Sequence, residues 1–336
     1  MSTAETLRVV RVIAETHDAV SLELVAESGR PLTYRPGQFL TLRIPSARTG
    51  SVARSYSLSS APHEDGPLKV TVKRTEGGYG SNWLCDNAVA GMTIDSLAPA
   101  GVFTPDSLDT DLLLLAAGSG ITPVLSILKS ALAQGSGRCT LIYANRDDDS
   151  VIFADELRSL TAAYPDRLVA LHWLESVQGL PSVRTLTTLV APWSDREVFV
   201  CGPVPFMDAV VEASGNLGMD RTRVHVEKFV SLSGDPFAEV DDDTGDAALV
   251  EVELDGTTNE FPWPRNTVLL DLLLARGVEA PYSCREGACS ACVCRVVDGE
   301  VKLLRNEVLE REDLADGYVL ACQAVPVTDT VRITYE

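Results

Sequence analysis

The run Cys284-Arg285-Glu286-Gly287-Ala288-Cys289-Ser290-Ala291-Cys292, completed by Cys322, decides what the C-terminal part of this chain is. Its spacing, C-x4-C-x2-C-x29-C, is the plant-type pattern for a [2Fe–2S] cluster. Gly287, Ala288, Ser290 and Ala291 are small enough to let backbone N–H groups point at sulfur and offset the cluster's negative charge. Zinc is the competing reading, but zinc sites usually bring two closely spaced cysteine pairs, and Cys322 stands alone. Cys294 lies outside the complete spacing and is expected in a strand, while Cys85 and Cys139 read as small packing hydrophobes.

Working outward, the cluster loop follows two strand-like stretches, Leu249–Asp255 and Thr258–Phe261, and a helical one, Thr267–Ala275, stopped by Gly277. Before them, Ser233–Ala247 is rich in small and acidic residues with little to bury, and reads as a flexible linker. Upstream, apolar strands alternate with helices. The strands are Asp111–Ala116, Cys139–Tyr143, Leu168–His172, Glu197–Val200 and Val224–Lys228, and the helices centre on Pro123–Ala133, Phe153–Ala163 and Phe206–Ala213. That rhythm implies a parallel nucleotide-binding sheet. The first hundred residues give only short β-rich segments: Leu7–Ile13, Ala19–Val25, Gly37–Ile44, Ser55–Ser59 and Leu68–Lys73. Turn residues separate them, which suits a small antiparallel barrel. Ser81 is expected to cap a helix over Asn82–Ala90 that Gly91 ends. The expected division is therefore 1–107, 108–232, a linker over 233–247, and 248–336.

Composition narrows the function. The 336 residues carry 28 basic and 48 acidic side chains, a formal charge of −20, which argues against nucleic acid and anionic membrane surfaces as partners. No apolar stretch reaches the length of a bilayer span, and the first residues show no secretory pattern. A cytoplasmic protein is expected. In that reducing compartment, eight cysteines point to metal or redox chemistry rather than disulfides. Residues 246–336 hold 17 acidic and 8 basic side chains, and Glu307, Glu310, Glu312, Asp313 and Asp316 crowd one stretch before Cys322. Such a face can steer a basic electron acceptor, although solvation alone would explain the same residues.

Two further constellations carry chemistry. Arg54-Ser55-Tyr56-Ser57 offers a guanidinium for phosphate, an aromatic face for a flavin ring and a hydroxyl for its N5. A plain strand would also read this way. The following Gly77-Gly78-Tyr79-Gly80-Ser81 raises the flavin reading, because it ends at a helix N-terminus, where free N–H groups favour a pyrophosphate. Gly118-Ser119-Gly120-Ile121-Thr122-Pro123 follows the strand LLLLAA. Its glycines allow close approach of a ligand, with Thr122 placed to cap and Pro123 to begin a helix. It is not a G-x-G-x-x-G fingerprint. Cys201-Gly202-Pro203 gives a second loop on the same carboxyl-end rim, with a buried packing cysteine as the alternative for Cys201. Tyr143-Ala144-Asn145-Arg146 leads into Asp147-Asp148-Asp149, aspartates that should repel a 2′-phosphate although Arg146 opposes them. NADH is expected over NADPH.

In this order the motifs resemble the ferredoxin–NADP reductase superfamily with a C-terminal plant-type ferredoxin domain. The resemblance covers nearly the whole chain. It implies a multidomain protein: an antiparallel β-barrel flavin domain, an α/β parallel-sheet nicotinamide-nucleotide domain, and an α+β β-grasp ferredoxin domain. It also implies Arg54 on the flavin phosphates, Tyr56 against the isoalloxazine, Ser57 near its N5, and pyrophosphate contact by Gly78, Gly80 and Ser81. Gly118, Gly120, Thr122, Pro123, Gly202 and Pro203 would line the nicotinamide-nucleotide site, with Cys201 near the transferring carbon. The runs GSNWLCD, YANRDD, LHWLESVQGLPS and CREGACSACVCRV are similar to the reductase components of 3-ketosteroid 9α-hydroxylases. That likeness implies a Rieske-type terminal oxygenase of steroid degradation as acceptor. Reductases of phenylacetyl-CoA or aromatic-ring oxygenases share the architecture, and the phthalate dioxygenase reductase among them uses FMN. The helix beginning SNWL favours FAD. A flavin- and cluster-binding redox sensor is the non-enzyme alternative, which the two nicotinamide loops disfavour.

Overall fold

Alternating apolar residues fold Glu5–Thr16 (β1) and Ala19–Ala26 (β2) into a hairpin that buries Leu7, Val9, Leu22 and Leu24 completely. The computed structural model describes residues 4–238, 240 and 246–335. Four more strands follow: Phe39–Ser46 (β3), Gly50–Ser57 (β4), Leu68–Lys73 (β5) and Thr93–Ser96 (β6), with helix Tyr79–Asn87 (α1) before the last. Every named strand pairing in this sheet is antiparallel, in the order β4-β3-β6-β1-β2-β5, and a bridge between Leu58 and Val70 joins its two edges into a barrel. Leu84 of α1 plugs the same core as Leu40, Leu42 and Ile44.

The next five strands are Leu112–Ala117 (β7), Cys139–Asn145 (β8), Leu168–Leu174 (β9), Glu197–Cys201 (β10) and Val224–Glu227 (β11). They are all parallel, in the order β11-β10-β7-β8-β9. Helices Ile121–Gln134 (α2), Ala154–Ala163 (α3), Glu175–Gln178 (α4), Val183–Val190 (α5) and Val204–Asn216 (α6) connect them. Strand β7 shows why the sheet is covered on both sides. Leu112, Leu114 and Ala116 enter one core with α2, while Leu113, Leu115 and Ala117 enter another with α5 and α6. The order reverses between β7 and β10, and that switch point is where open α/β sheets bind ligands.

This sheet and the barrel form one compact unit, Glu5–Pro99 with Phe103–Phe229. Within it, the Ser126 hydroxyl donates to the Ser60 carbonyl at 2.7 Å, and the buried Lys129 ammonium lies 3.0 Å from both Glu64 and Glu156.

A second unit is built on Val230–Glu336. Its strands are Ala247–Leu254 (β12), Thr257–Pro264 (β13), Val293–Asp298 (β14), Val301–Leu303 (β15), Tyr318–Leu320 (β16), Ala324–Pro326 (β17) and Thr330–Thr334 (β18), with helices Leu269–Ala275 (α7) and Arg311–Ala315 (α8). A mixed sheet, β13-β12-β18-β14-β16, has β12 and β18 parallel, and β15 pairs with β17. Helix α7 buries Leu269, Leu270, Leu272 and Leu273 against this sheet beside Trp263, at about 1.5–3 kcal/mol for each side chain.

Three local expectations are corrected. Helix α1 begins two residues before Ser81, with Gly78 as its N-cap, so Ser81 sits inside the first turn and its hydroxyl accepts the Thr75 N–H at 3.2 Å. That helix ends at Asn87, short of Gly91, whose positive φ serves a turn back to β1. Gly118–Gly120 forms a 3-10 turn feeding α2 from Ile121, so Thr122 and Pro123 lie within the helix, and Thr122 donates to the Ser119 carbonyl instead of capping. The start of the stretch read as a linker is bonded: Ser233 donates through N–H and hydroxyl to Glu286. Residues 239 and 241–245 of that stretch lie outside the described residues.

Candidate redox site

Four thiols meet beneath the loop before β14. Cys284, Cys292 and Cys322 are buried and Cys289 is half-buried. They stand as two neighbouring pairs, Cys284 beside Cys289 and Cys292 beside Cys322. Among the described residues no three Cys, His, Asp or Glu side chains converge tightly enough for a single ion. Two pairs of thiolates are the donor set that a two-iron cluster requires.

The loop's backbone serves those sulfurs. The N–H groups of Glu286 and Ala288 lie 3.4 and 3.3 Å from the Cys284 sulfur, and the Cys284 N–H lies 3.4 Å from that of Cys289. Such inward turning needs left-handed backbone, found at Arg285, Gly287 and Ser290 with φ of 58°, 73° and 60°. At Gly287 a Cβ would also press to 2.9 Å from the Arg305 carbonyl oxygen. The neighbouring Cys289 thiol, and then those backbone donors, draw the Cys284 thiol down against the opposing effect of burial. Bonds from outside hold the loop: Arg285 to Asp271 of α7 at 2.6 Å, and Gln323 to the Arg285 carbonyl at 2.9 Å. These residues fit the cluster. Cys294 lies in β14 and is buried, as expected of a strand residue.

The acidic stretch has local duties that its charge alone did not reveal. Glu310 and Asp313 form the capping box of α8, and Glu307 pairs with Arg305 at 2.5 Å.

In the first unit, register fixes which side chains of β4 share a face. Arg54 and Tyr56 stand opposite Leu42 and Leu40, whereas Ser55 and Ser57 stand opposite Thr41 and Phe39. Gly80, in the first turn of α1, is what brings the flavin candidates together. A Cβ there would lie 2.8 Å from the Arg54 Cγ and 3.4 Å from the Tyr56 hydroxyl. The helix start, with Gly78 supplying no side-chain cap, thus lies directly over Arg54 and Tyr56. A helix start over an arginine is an arrangement that suits a pyrophosphate, and the Arg54 Nη1 itself donates to the Ala53 carbonyl at 2.6 Å. Ser57 is buried at the end of β4, next to Tyr56 in sequence but on the opposite face of the strand.

The two rim loops at the switch point touch. A Cβ on Gly120 would fall 2.0 Å from the Cys201 carbonyl oxygen, and one on Gly202 would fall 2.9 Å from Ala117 Cβ. Pro203 is the exposed N-cap of α6. Cys201 is fully buried, in the core that also holds Ala19 and Phe103, so its side chain points to the sheet face that meets the barrel. Burial, and then the charge of Glu227 beside it on β11, push its thiol up, so it remains protonated and is no nucleophile. Burial at this position also agrees with a packing role.

Two residues on this rim escaped sequence reading. Glu227 is a buried carboxylate in register with Cys201, and Phe229 is a half-exposed aromatic two residues beyond it. The signal was the charged and aromatic run Glu227-Lys228-Phe229 at and just beyond the end of β11.

Comparison with known proteins agrees with this geometry. Models of an oxidoreductase FAD-binding domain, an oxidoreductase NAD-binding domain and a 2Fe–2S iron–sulfur cluster binding domain match residues 6–104, 114–212 and 252–327. The flavin is therefore FAD. The ferredoxin reductase component of 3-ketosteroid-9-alpha-monooxygenase from Rhodococcus rhodochrous is 57% identical, over 98% of this chain and 96% of its own. One of the subunits of the 1,2-phenylacetyl-CoA epoxidase of Escherichia coli is 34% identical, over 100% of this chain and 99% of its own. Among solved structures, phthalate dioxygenase reductase superposes with a TM-score of 0.61 at 25% identity, covering 98% of each chain.

Proposed function

This chain belongs to the three-module reductases that serve as components of multicomponent monooxygenases, and we propose that its acceptor is a Rieske-type 3-ketosteroid 9α-hydroxylase. Whole-length identity carries the choice: 57% with the steroid system's reductase against 34% with the phenylacetyl-CoA epoxidase chain.

The chain's own residues divide the labour. Arg54, Gly78, Gly80 and Ser81 hold the FAD pyrophosphate, and Tyr56 lies against the flavin ring. Gly118, Gly120, Thr122, Pro123, Gly202 and Pro203 shape the dinucleotide site. Cys201 packs beneath the nicotinamide and positions its reacting carbon. Cys284 with Cys289, and Cys292 with Cys322, hold the cluster. When bound, the flavin accepts two electrons as hydride and the cluster passes them on singly. The steroid need never touch this chain. Eight thiols suit a cytoplasmic site of action, and no helix among the described residues is long and apolar enough to cross a membrane.

The test is reconstitution. Purified chain, NADH and a candidate oxygenase are mixed with its substrate, and product is counted per NADH consumed. Coupled hydroxylation of a 3-ketosteroid is expected. Equal or better support of a phenylacetyl-CoA oxygenase would transfer the assignment to that system.

A further inference from the structure

The chain leaves the first unit at Phe229 and enters β12 only at Ala247, with 17 residues, 230–246, between them. A lead of that length, if free, would behave as a flexible tether. Its beginning is not free. Ser233 donates its N–H to Glu286 Oε1 at 2.6 Å, and its hydroxyl lies 3.0 and 2.9 Å from the two carboxylate oxygens. Arg305 Nη1 reaches the same carboxylate at 3.3 Å. Packing does not fix Ser233, because it is exposed with Gly234 and Asp235, and a cavity of about 200 Å³ lies against this segment.

The carboxylate that receives Ser233 is built into the cluster loop. Glu286 lies between Cys284 and Cys289, its side chain is only 5% exposed, and its own N–H points to the Cys284 sulfur at 3.4 Å. A buried carboxylate needs donors, and Ser233 supplies two of them from 53 positions away in sequence. The loop behind it is braced: the Glu307 N–H donates to the Gly287 carbonyl at 3.0 Å, and Gln323 donates to that of Arg285 at 2.9 Å. Cys322, Arg285 and Gln323 line the same cavity as the Ser233 segment. With Ser233 fastened, the lead from Phe229 to the cluster loop is three residues, 230–232, instead of 17.

We infer that Glu286 is a positioning residue for electron transfer: by clasping Ser233 it shortens the lead on which the cluster is presented to the flavin. This rests on the order of electron flow proposed above. The local concentration of one tethered group at another falls roughly as the −3/2 power of lead length. Lengthening the lead from three residues to 17 therefore lowers it about tenfold. The clasp acts on transfer from flavin to cluster and on no earlier step, because neither Ser233 nor Glu286 belongs to the proposed flavin or nicotinamide sites.

The experiment follows one electron within the FAD- and cluster-loaded protein, without turnover. A light pulse with 5-deazaflavin reduces the flavin, and the electron's passage to the cluster is read as a first-order change in the visible bands. Ser233→Pro removes both donors and leaves the cluster loop untouched; it should slow this passage about tenfold. Iron content and the cluster's midpoint potential should match wild type, while amide hydrogen exchange at 232 and 234 should quicken at least about tenfold. Glu286→Ala opens the clasp from the other side and carries the same expectation for passage and exchange. Ten Gly/Ser residues inserted after Val230, before the clasp, should slow passage about tenfold, whereas the same ten after Val240, beyond it, should change it less than about twofold. Passage within about threefold of wild type in Ser233→Pro overturns the inference, as does an insertion beyond the clasp that slows it as much as one before. Loss of iron or a shifted potential in Ser233→Pro also overturns it, because Ser233 would then serve the cluster itself and not the lead. Failure of the electron order would look different, since in wild type the electron would then stay on the flavin.

Discussion

Gly120→Ala is the smallest change that should disable the nicotinamide site without touching a polar group. Gly120 has φ −62°, which alanine adopts freely, so the backbone conformation is no obstacle. The obstacle is space. The added methyl would sit 2.0 Å from the Cys201 carbonyl oxygen, 2.3 Å from its carbon and 2.7 Å from the Gly202 nitrogen. All three are backbone atoms, which cannot rotate aside as a side-chain tip would. Restoring ordinary contact at 3.4–4 Å means moving the two loops apart by about 1.4–2 Å at the switch point. Overpacking of this kind costs about 1–3 kcal/mol of stability. The catalytic cost is larger, because a misplacement of about 1 Å can lower a rate about a hundredfold. Stopped-flow mixing with NADH under nitrogen reads flavin reduction directly. The variant should reduce its flavin about a hundredfold more slowly, with FAD content and the cluster's visible spectrum unchanged, since neither site involves Gly120. A rate within about threefold of wild type would refute the reasoning that these two loops form the hydride site.

Further outcomes follow from particular contacts. Cys289→Ser should abolish the cluster and leave FAD in place, read as loss of two irons per chain with the flavin spectrum intact; retention of iron would remove Cys289 from the ligand set. Cys201→Ala should slow flavin reduction more than it weakens dinucleotide affinity, and an unchanged rate would leave this buried thiol as core packing. Lys129→Met removes a buried ammonium from between Glu64 and Glu156 and should cost the first unit about 1–2 kcal/mol at pH 7, reduced because both carboxylates keep some solvent. Burial pushes the Glu64 carboxyl up, but the Ala61 N–H and Lys129 hold it below its ordinary 4.5. Its contribution is therefore full above that value and disappears as pH falls through the lower folded value, so the melting difference between variant and wild type should shrink in acid. A difference that stays constant down to pH ~3 would contradict that linkage.

How much of this was legible depended on the kind of signal. That Cys284, Cys289, Cys292 and Cys322 come together could be read because four cysteines at fixed spacing leave few alternatives. The parallel sheet could be read because strands buried on both faces give runs such as LLLLAA. Helices α4 and α5 were missed, although Ser182 caps the second through the Thr185 N–H at 3.2 Å and Leu186 and Val190 lie on one face. Gly179 and Pro181 between them resemble loop chemistry, and each helix is too short for periodicity to stand out. Apart from the strand expected at Cys294, those after the cluster loop, three to five residues each, were passed over for the same reason. The start of α1 was misplaced because serine is a frequent N-cap, and nothing local says that Gly78 would take that position. A residue acting across domains, such as Lys129, has no sequence signal, because its partner Glu64 lies 65 positions away.

The central claim is that hydride from NADH enters at the flavin and leaves as single electrons through the cluster of the same chain. An anaerobic titration with NADH, followed by visible absorbance and by electron paramagnetic resonance, tests it most directly. Flavin and cluster together hold three electrons, so full bleaching should take about 1.5 NADH per chain and yield one reduced-cluster signal per chain. Bleaching complete at about one NADH, with the cluster bands untouched and no resonance signal, would contradict the account.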